Sequence, residues 1–299
     1  MRLAIIGRTE FLYNTALLLK DKYKISVVIT SKAAPEYKKT EKDFEQLAKD
    51  LNIPFFTSLK DQALINFLKE EKVDLGISIN WPTIIKQDFI DLFRLGILNA
   101  HMGDLPKYRG NAVVAWAILN GEEKVVLSIH FMEGDKLDCG RIIYQSTFFL
   151  NNNIYIGDVY KWAEQEIPFA FMRSIEILKN NPNYVLKYVD ENDEMGFRCY
   201  PLRPEDFKID WTKDAEYIHR LIRANSKPYS GAFSFIDGKD KIIIWKAELY
   251  YDNEKYFTIS GQISKIQEDY FIVITGKGKL KITEWESNQK IKSIRQRLT

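Results

Sequence analysis

Apolar positions in the first half of the chain fall into short runs, separated by segments in which they recur every three or four residues. The runs at residues 3–7, 25–30, 53–56, 74–79 and 96–101 are rich in Ile, Leu and Val and read as buried strands. The spacing between them predicts helices over 10–19, 44–51, 61–71 and near 87–93. A strand–helix–strand rhythm of this kind belongs to a parallel, doubly wound sheet. Residues 32–42 interrupt it with four Lys, two Glu and Ala33-Ala34-Pro35, which predicts a mobile loop. A helix over 113–120, strands over 125–132 and 142–150 and a long helix over about 157–179 complete this part.

Past Asn180-Asn181-Pro182-Asn183, which breaks the long helix, the pattern changes. Residues 188–204 are polar and predicted irregular, and 215–224 carry one more helix. Short apolar strands then alternate with Gly-containing turns at 232–236, 241–244, 261–265, 271–275 and 280–282. Five strands in so short a stretch predict a small barrel of the oligomer-binding type. The expected organisation is an α/β domain over residues 1–185, a connecting segment with one helix over 186–230, and a β-barrel domain over 231–299.

Composition narrows the classes. Hydrophobic residues make up 45% and charged residues 28% of 299, which is that of a globular chain able to bury a sizeable core. The net charge is +2, split as +4 over residues 201–299 and −2 before them. That is too little positive charge for a surface built to grip nucleic-acid phosphates. Two cysteines, Cys139 and Cys199, exclude a disulfide framework and a Cys-rich zinc site. No run approaches the roughly 18 apolar residues of a membrane span. The apolar opening is too short for a signal peptide and meets Arg8, Thr9 and Glu10, so it reads as the first strand, and a cytoplasmic location is expected. Gly7-Arg8-Thr9-Glu10-Phe11 lacks the Gly-x-Gly-x-x-Gly of a dinucleotide site.

The candidate chemistry sits at the end of the fifth predicted strand. Asn99 and His101 are two residues apart on extended chain and point to one face. The carboxyl edge of an open α/β sheet is where ligands bind. A carboxamide donor and an imidazole aimed at one point suit stabilisation of an oxyanion and transfer of a proton. Three acidic residues, Glu133, Asp135 and Asp138, lie in the next turn, and any of them could be a solvated turn residue. Cys139 has no base beside it in sequence and is read as a packing residue. His130 lies in a strand and faces the sheet or its edge, while His219 is read as a surface residue of a polar helix. Trp245, Tyr250, Tyr251, Tyr256 and Phe257 could stack bases on the barrel, but the weak charge favours core and interface packing.

Asn99-Ala100-His101, the following Leu105-Pro106-Lys107-Tyr108-Arg109-Gly110 and the downstream Leu137-Asp138-Cys139-Gly140 together resemble the folate-dependent formyltransferases. That family includes methionyl-tRNA, glycinamide-ribonucleotide and nucleotide-sugar formyltransferases. The likeness extends through Ile209-Asp210-Trp211, Leu221-Ile222-Arg223-Ala224, Pro228-Tyr229-Ser230-Gly231-Ala232-Phe233 and Thr275-Gly276-Lys277-Gly278, which are similar to the C-terminal domain shared by the tRNA and sugar branches. Arg203-Pro204-Glu205-Asp206 and Lys227-Pro228-Tyr229 look more like the sugar branch. Gly103-Asp104 departs from the pair usual in the tRNA enzymes, in a loop expected to face the acceptor.

The resemblance implies a doubly wound, mostly parallel sheet of the formyltransferase, Rossmann-like type with a small C-terminal β-barrel domain of the oligomer-binding kind. It implies 10-formyltetrahydrofolate as formyl donor, no metal, and Asn99, His101 and Asp138 as catalytic residues. In that scheme Asn99 and a protonated His101 hold the oxyanion and Asp138 accepts the amine proton. Trp81, Ile84, Ile85, Asp135 and Leu137 would hold the pterin, largely through backbone groups. Tyr108, Arg109 and Gly110 would face the acceptor, with Arg8 at a helix N-terminus meeting a phosphate or sugar group. The leading expectation is formylation of a nucleotide-linked amino sugar, an NDP-4-amino-4,6-dideoxyhexose for surface polysaccharide, without membrane or nucleic-acid partners and with a homodimer left open. The alternatives are methionyl-tRNA formyltransferase and a catalytically silent folate- or nucleotide-binding regulator.

Overall fold

The computed structural model describes residues 1–299. The chain forms two compact units, one of Met1–Val113, Val125–Phe148 and Tyr160–Cys199, the other of Val114–Lys124, Phe149–Val159 and Tyr200–Thr299.

The strands of the first unit are β1 (Arg2–Gly7), β2 (Lys24–Ile29), β3 (Phe55–Phe56), β4 (Leu75–Ile79), β5 (Ile97–His101), β6 (Arg109–Gly110), β7 (Lys124–Phe131), β8 (Gly140–Phe149), β9 (Lys187–Val189) and β10 (Arg198–Cys199). Eight of them form one sheet in the order β3-β2-β1-β4-β5-β7-β8-β9, and β6 and β10 form a separate pair. From β3 to β5 every pairing is parallel, whereas β7 runs antiparallel to β5 and β9 antiparallel to β8. The uninterrupted apolar runs of β1, β2 and β4 follow from this, because a parallel sheet is covered on both faces. Leu3 and Ile5 pack with helices α1 (Thr9–Leu19), α2 (Glu41–Asp50) and the long helix Ile156–Asn180 on one side. Ala4 and Ile6 pack on the other with α3 (Gln62–Glu71) and α4 (Gln87–Ile90). The chain order reverses between β1 and β4, so the crevice at their carboxyl ends is the place for a ligand.

Several local expectations are corrected. The helix expected near 87–93 is a single turn, Gln87–Ile90, followed by turns to Leu95. Residues 188–204 are not wholly irregular, since β9 and β10 lie within or across them. The loop expected over 32–42 ends earlier, because α2 begins at Glu41, and it carries contacts of its own: Arg8 Nη1 donates to Lys32 O (3.0 Å), Ala33 N to Glu41 Oε2 (3.0 Å), and Lys38 Nζ pairs with Glu164.

The remaining helices are α5 (Val113–Leu119), α6 (the Ile156–Asn180 helix) and α7 (Ala215–Ala224). In the second unit, β11 (Ala232–Ile236), β12 (Asp240–Tyr250), β13 (Ile263–Ile266), β14 (Phe271–Ile274) and β15 (Lys279–Ser287) form a five-stranded antiparallel sheet in the order β11-β12-β15-β14-β13. Arg297 and Leu298 bridge Gln262 and Ile236, linking the two outer edges and protecting both from unwanted pairing. β12 outruns the expected 241–244 because a bulge around Lys246 shifts its register on β15 and breaks the alternation that marks a strand. Tyr251 and Phe257 are exposed, so they are not part of the core of this chain.

Candidate active site

β5 delivers Asn99 and His101 to the carboxyl edge of the sheet, and the antiparallel register sets His130 of β7 directly opposite Asn99. Asn99 Nδ2 lies 3.2 Å from His130 Nε2. His130 Nδ1 faces the carbonyl oxygens of Phe131 (3.0 Å) and Cys139 (3.1 Å). Carbonyls only accept, so Nδ1 carries the ring hydrogen and Nε2 accepts from Asn99. Burial pushes the His130 pKa down, against the pull of Asp138, which favours this neutral ring.

His101 is buried and its Nε2 donates to Tyr108 O at 2.7 Å. Its Nδ1 is 3.6 Å from Asp138 Oδ2, beyond a hydrogen bond but within reach of an ion pair. A Cβ added at Gly103 would stand 2.3 Å from Tyr108 O and 2.5 Å from His101 Nε2. The lack of a side chain at Gly103 leaves room for the His101–Tyr108 bond.

Asp138 sits in the turn between β7 and β8 with φ of +50°, a left-handed conformation that Asp tolerates. Its Oδ2 accepts from Gly110 N at 2.8 Å, and Oδ1 is 3.9 Å from His130 Nε2. One carboxylate, one carboxamide and two imidazoles from β5, β7 and the following turn thus converge. His130 is the member that sequence reasoning did not assign to the site; its facing depends on a pairing between strands thirty-one positions apart.

The other expected site residues divide into groups. Trp81, Ile84, Ile85, Asp135 and Leu137 belong to two segments that the fold joins: Asp135 N donates to Ile85 O (3.2 Å) and Gly134 N to Gln87 Oε1 (2.8 Å). Ile85 is a core residue, whereas Ile84 is 53% exposed and Trp81 is half-buried. Arg8 lies at the reversal point, with Nε donating to Asn80 O and Nη1 to Lys32 O, both at 3.0 Å, and its guanidinium over the Tyr37 ring. Tyr108 is buried, and its carbonyl is taken by His101. Gly110 offers its N–H to Asp138. Arg109 Nη1 donates to Glu191 O (2.9 Å) and lies 3.5 Å from Cys139 Sγ. The Cys139 thiol is buried, faces Leu137 O at 3.3 Å and has its pKa raised by burial, all of which fit a packing residue. No group of three or more His, Cys, Asp and Glu side chains is arranged to hold a metal ion.

His219 is a correction: it is only 4% exposed, and its Nε2 donates to Ala247 O at 3.0 Å. The signal was available, because Ala215, Ile218, His219 and Ile222 follow the i, i+3, i+4, i+7 stripe of a helix face that packs inward.

A carboxylate beside imidazoles and a carboxamide, at the carboxyl edge of a doubly wound sheet, has the donors and the base that moving an acyl group and a proton requires. Residues 1–166 match the formyl transferase family and residues 201–298 match the formyl transferase C-terminal domain. The chain belongs to the formyl transferase family and is a formyl-transferring enzyme. It is similar to the bifunctional polymyxin resistance protein ArnA of Wigglesworthia glossinidia brevipalpis, 32% identical over 206 residues, 68% of this chain; the match spans 31% of that relative's length. It is 28% identical over 291 residues to the methionyl-tRNA formyltransferase of Agathobacter rectalis, covering 95% of this chain and 91% of the relative. Among solved structures it shares its fold with WlaRD, a sugar 3N-formyl transferase crystallised with dTDP and 5-N-formyl-THF, at a TM-score of 0.67 and 23% identity over 97% of this chain and 99% of that one. The N-formyltransferase from Helicobacter canadensis, solved with folinic acid and dTDP-3-aminofucose, gives a TM-score of 0.67 and 22% identity over 95% and 99% of the two chains. No helix is long and apolar enough to cross a membrane.

Proposed function

We propose that this enzyme transfers a formyl group from 10-formyltetrahydrofolate to the primary amine of a nucleotide-linked amino sugar, an NDP-4-amino-4,6-dideoxyhexose destined for surface polysaccharide. The observation that carries the reaction is the convergence of Asn99, His101, His130 and Asp138 at one sheet edge. The sugar acceptor is supported by the near-neutral charge balance, which suits a small phosphorylated ligand better than an RNA. It is supported also by what the two sugar formyltransferases of the same fold were crystallised with.

The joined segments at residues 80–87 and 133–137 fit a flat, partly apolar donor, with exposed Ile84 and half-buried Trp81 beside a run of backbone groups. Trp81, Ile84, Ile85, Asp135 and Leu137 would hold it there. The donor supplies an activated formyl carbon. Asn99 has two amide hydrogens, one directed to His130 Nε2, and the other serves the formyl oxygen as it gains charge. Asp138 takes the proton that the acceptor amine loses as its nitrogen bonds to the formyl carbon, and that proton passes to the donor nitrogen as its bond to the same carbon breaks, which returns the carboxylate. His101 stands beside Asp138 and stabilises its charge when protonated. Arg8, at the reversal point and the start of α1, is the cation suited to a phosphate of the acceptor.

The methionyl-tRNA reading is favoured by the 28% identity to such an enzyme over nearly the whole chain. One assay separates the two: 10-formyltetrahydrofolate is supplied with a panel of dTDP- and UDP-linked amino sugars, and separately with charged initiator tRNA. Formylation of an amino sugar and none of the tRNA is expected. Efficient formylation of methionyl-tRNA with no sugar turned over would reverse the assignment.

A further inference from the structure

The tripeptide Tyr108-Arg109-Gly110 holds both halves of the acid–base pair. Tyr108 O accepts from His101 Nε2 at 2.7 Å, and Gly110 N donates to Asp138 Oδ2 at 2.8 Å. The separation of His101 Nδ1 and Asp138 Oδ2, 3.6 Å, is therefore set by two backbone groups two residues apart, one just before the short strand β6 and one within it. That strand is itself held from outside. β6 pairs in parallel with β10, with Arg109 N donating to Phe197 O (3.1 Å) and Asn111 N to Cys199 O (3.0 Å). The Tyr108 ring meets the Phe197 ring edge-on at 4.7 Å between centroids. Gly110 has φ of +97°, and a Cβ there would stand 2.4 Å from Cys199 O, so the close approach of the two strands depends on glycine.

Arg109 completes the attachment. Its guanidinium reaches Glu191 O at 2.9 Å and Cys139 Sγ at 3.5 Å, spanning from the incoming segment to the residue next to Asp138. It also lies so close to Gly196 that a Cβ there would overlap Nη2. We propose that Arg109 and the segment Glu191–Cys199 form a positioning latch that fixes Asp138 against His101, and that Arg109 is a positioning residue and not a contact to the acceptor phosphate. This rests on the proposed function for the roles of His101 and Asp138. A latch of this kind acts on the transition state through geometry, and displacement of a reacting group by about 1 Å can cost about 10²-fold in rate.

The test is steady-state formyl transfer, with donor and acceptor each varied, for Arg109→Ala, Arg109→Lys and Phe197→Ala, alongside Asp138→Asn. Phe197 is partly exposed, so its replacement leaves the core intact. Arg109→Ala is expected to lower kcat by about 10²-fold with little change in acceptor KM. Arg109→Lys is expected to restore little, because the lysine stem is shorter and its ammonium lacks the planar guanidinium, whose Nη1 meets both Glu191 O and Cys139 Sγ while Nη2 lies against Gly196. Phe197→Ala is expected to lower kcat several-fold, again without a KM effect. A raised acceptor KM with kcat retained, and rescue by Arg109→Lys, would make Arg109 an acceptor contact and overturn the latch. Unchanged kcat in Phe197→Ala and Arg109→Ala would overturn it as well. Full activity of Asp138→Asn would remove the reading of the site itself, a result distinct from failure of the latch alone.

Discussion

Two buried histidines, one in each unit, show how the proposed reaction site differs from a well-packed interior. His130 and His219 are both nearly inaccessible, and burial lowers the pKa of each. His219 gives Nε2 to Ala247 O and has Arg223 as its nearest cationic influence. Around it most polar groups are satisfied by backbone: Tyr155 Oη bonds Ala247, Ser226 Oγ donates to Trp245 O, Asn225 Nδ2 to Gly231 O, and Arg223 Nη1 to Asn151 O and Ile154 O, with Arg223 Nε alone left over. These bonds fasten the bulge of β12 and the turn before β11 to helix α7 and its surroundings, which is structural work. At His130 the backbone takes Nδ1, but the groups around Nε2 are side chains with capacity left over. Asn99 keeps one amide hydrogen, and Asp138 has one close donor and stands 3.6 and 3.9 Å from the two rings. Burial and a shifted pKa therefore do not separate the two places; the convergence of incompletely bonded side chains from several elements does, and it is the reason the reaction is proposed at His130 and not at His219.

The largest effects should come from the groups with spare capacity. His101→Ala and Asn99→Ala are each expected to reduce kcat/KM by about 10²-fold or more, with thermal melting close to that of the parent. Near-normal turnover in either would break the contrast. His130→Ala is expected to fall between, at about tenfold, since Asn99 loses the acceptor that orients its amide while the other groups stay. Rescue by His130→Gln, which can accept at a similar place, would support orientation as the cause; full activity of His130→Ala would make His130 the equivalent of His219.

His219 should act on stability instead. Its folded pKa is pushed down from 6.5 to about 4, by burial first and Arg223 second. The unfolded chain then binds the proton before the folded chain does, so this contribution is fully present above about pH 6.5 and is lost as pH falls toward about 4. The amount is on the order of 3 kcal/mol. Urea unfolding at pH 7 and pH 5 is expected to show a smaller acid loss for His219→Gln than for the parent, with formyl transfer at pH 7 unaltered. An identical acid loss in both would contradict the assignment. The smallest effect belongs to Cys139→Ser and to chelators, both expected to leave turnover nearly intact; loss on chelation, restored by zinc, would show the chemistry misread.

The parallel half of the sheet was legible in sequence because strands buried on both faces appear as unbroken apolar runs. Asn99 and His101 were legible because alternation along one strand needs no knowledge of its neighbours. His130 was not: its partner is set by the antiparallel register of β7 on β5, which no local pattern reports. Likewise β10 is two residues long and exists through its pairing with β6, so Arg109 reads in sequence as a free cation while the fold gives it Glu191 O. The bulge in β12 hid most of a long strand, and the single turn of α4 borrowed its apparent length from turn residues that happen to be apolar. His219 was missed for a different reason, since its place on the buried stripe of α7 could have been counted.

The central claim is that the carboxylate held between His101 and His130 is the group that accepts the proton of the acceptor amine. Turnover of the parent and of Asp138→Asn, measured side by side with 10-formyltetrahydrofolate and the same amino-sugar nucleotide, tests it most directly. The amide keeps an oxygen to accept from Gly110 N but cannot serve as the base, so kcat is expected to fall by about 10²-fold or more while melting stays close to that of the parent. Equal turnover of the two proteins would contradict the account.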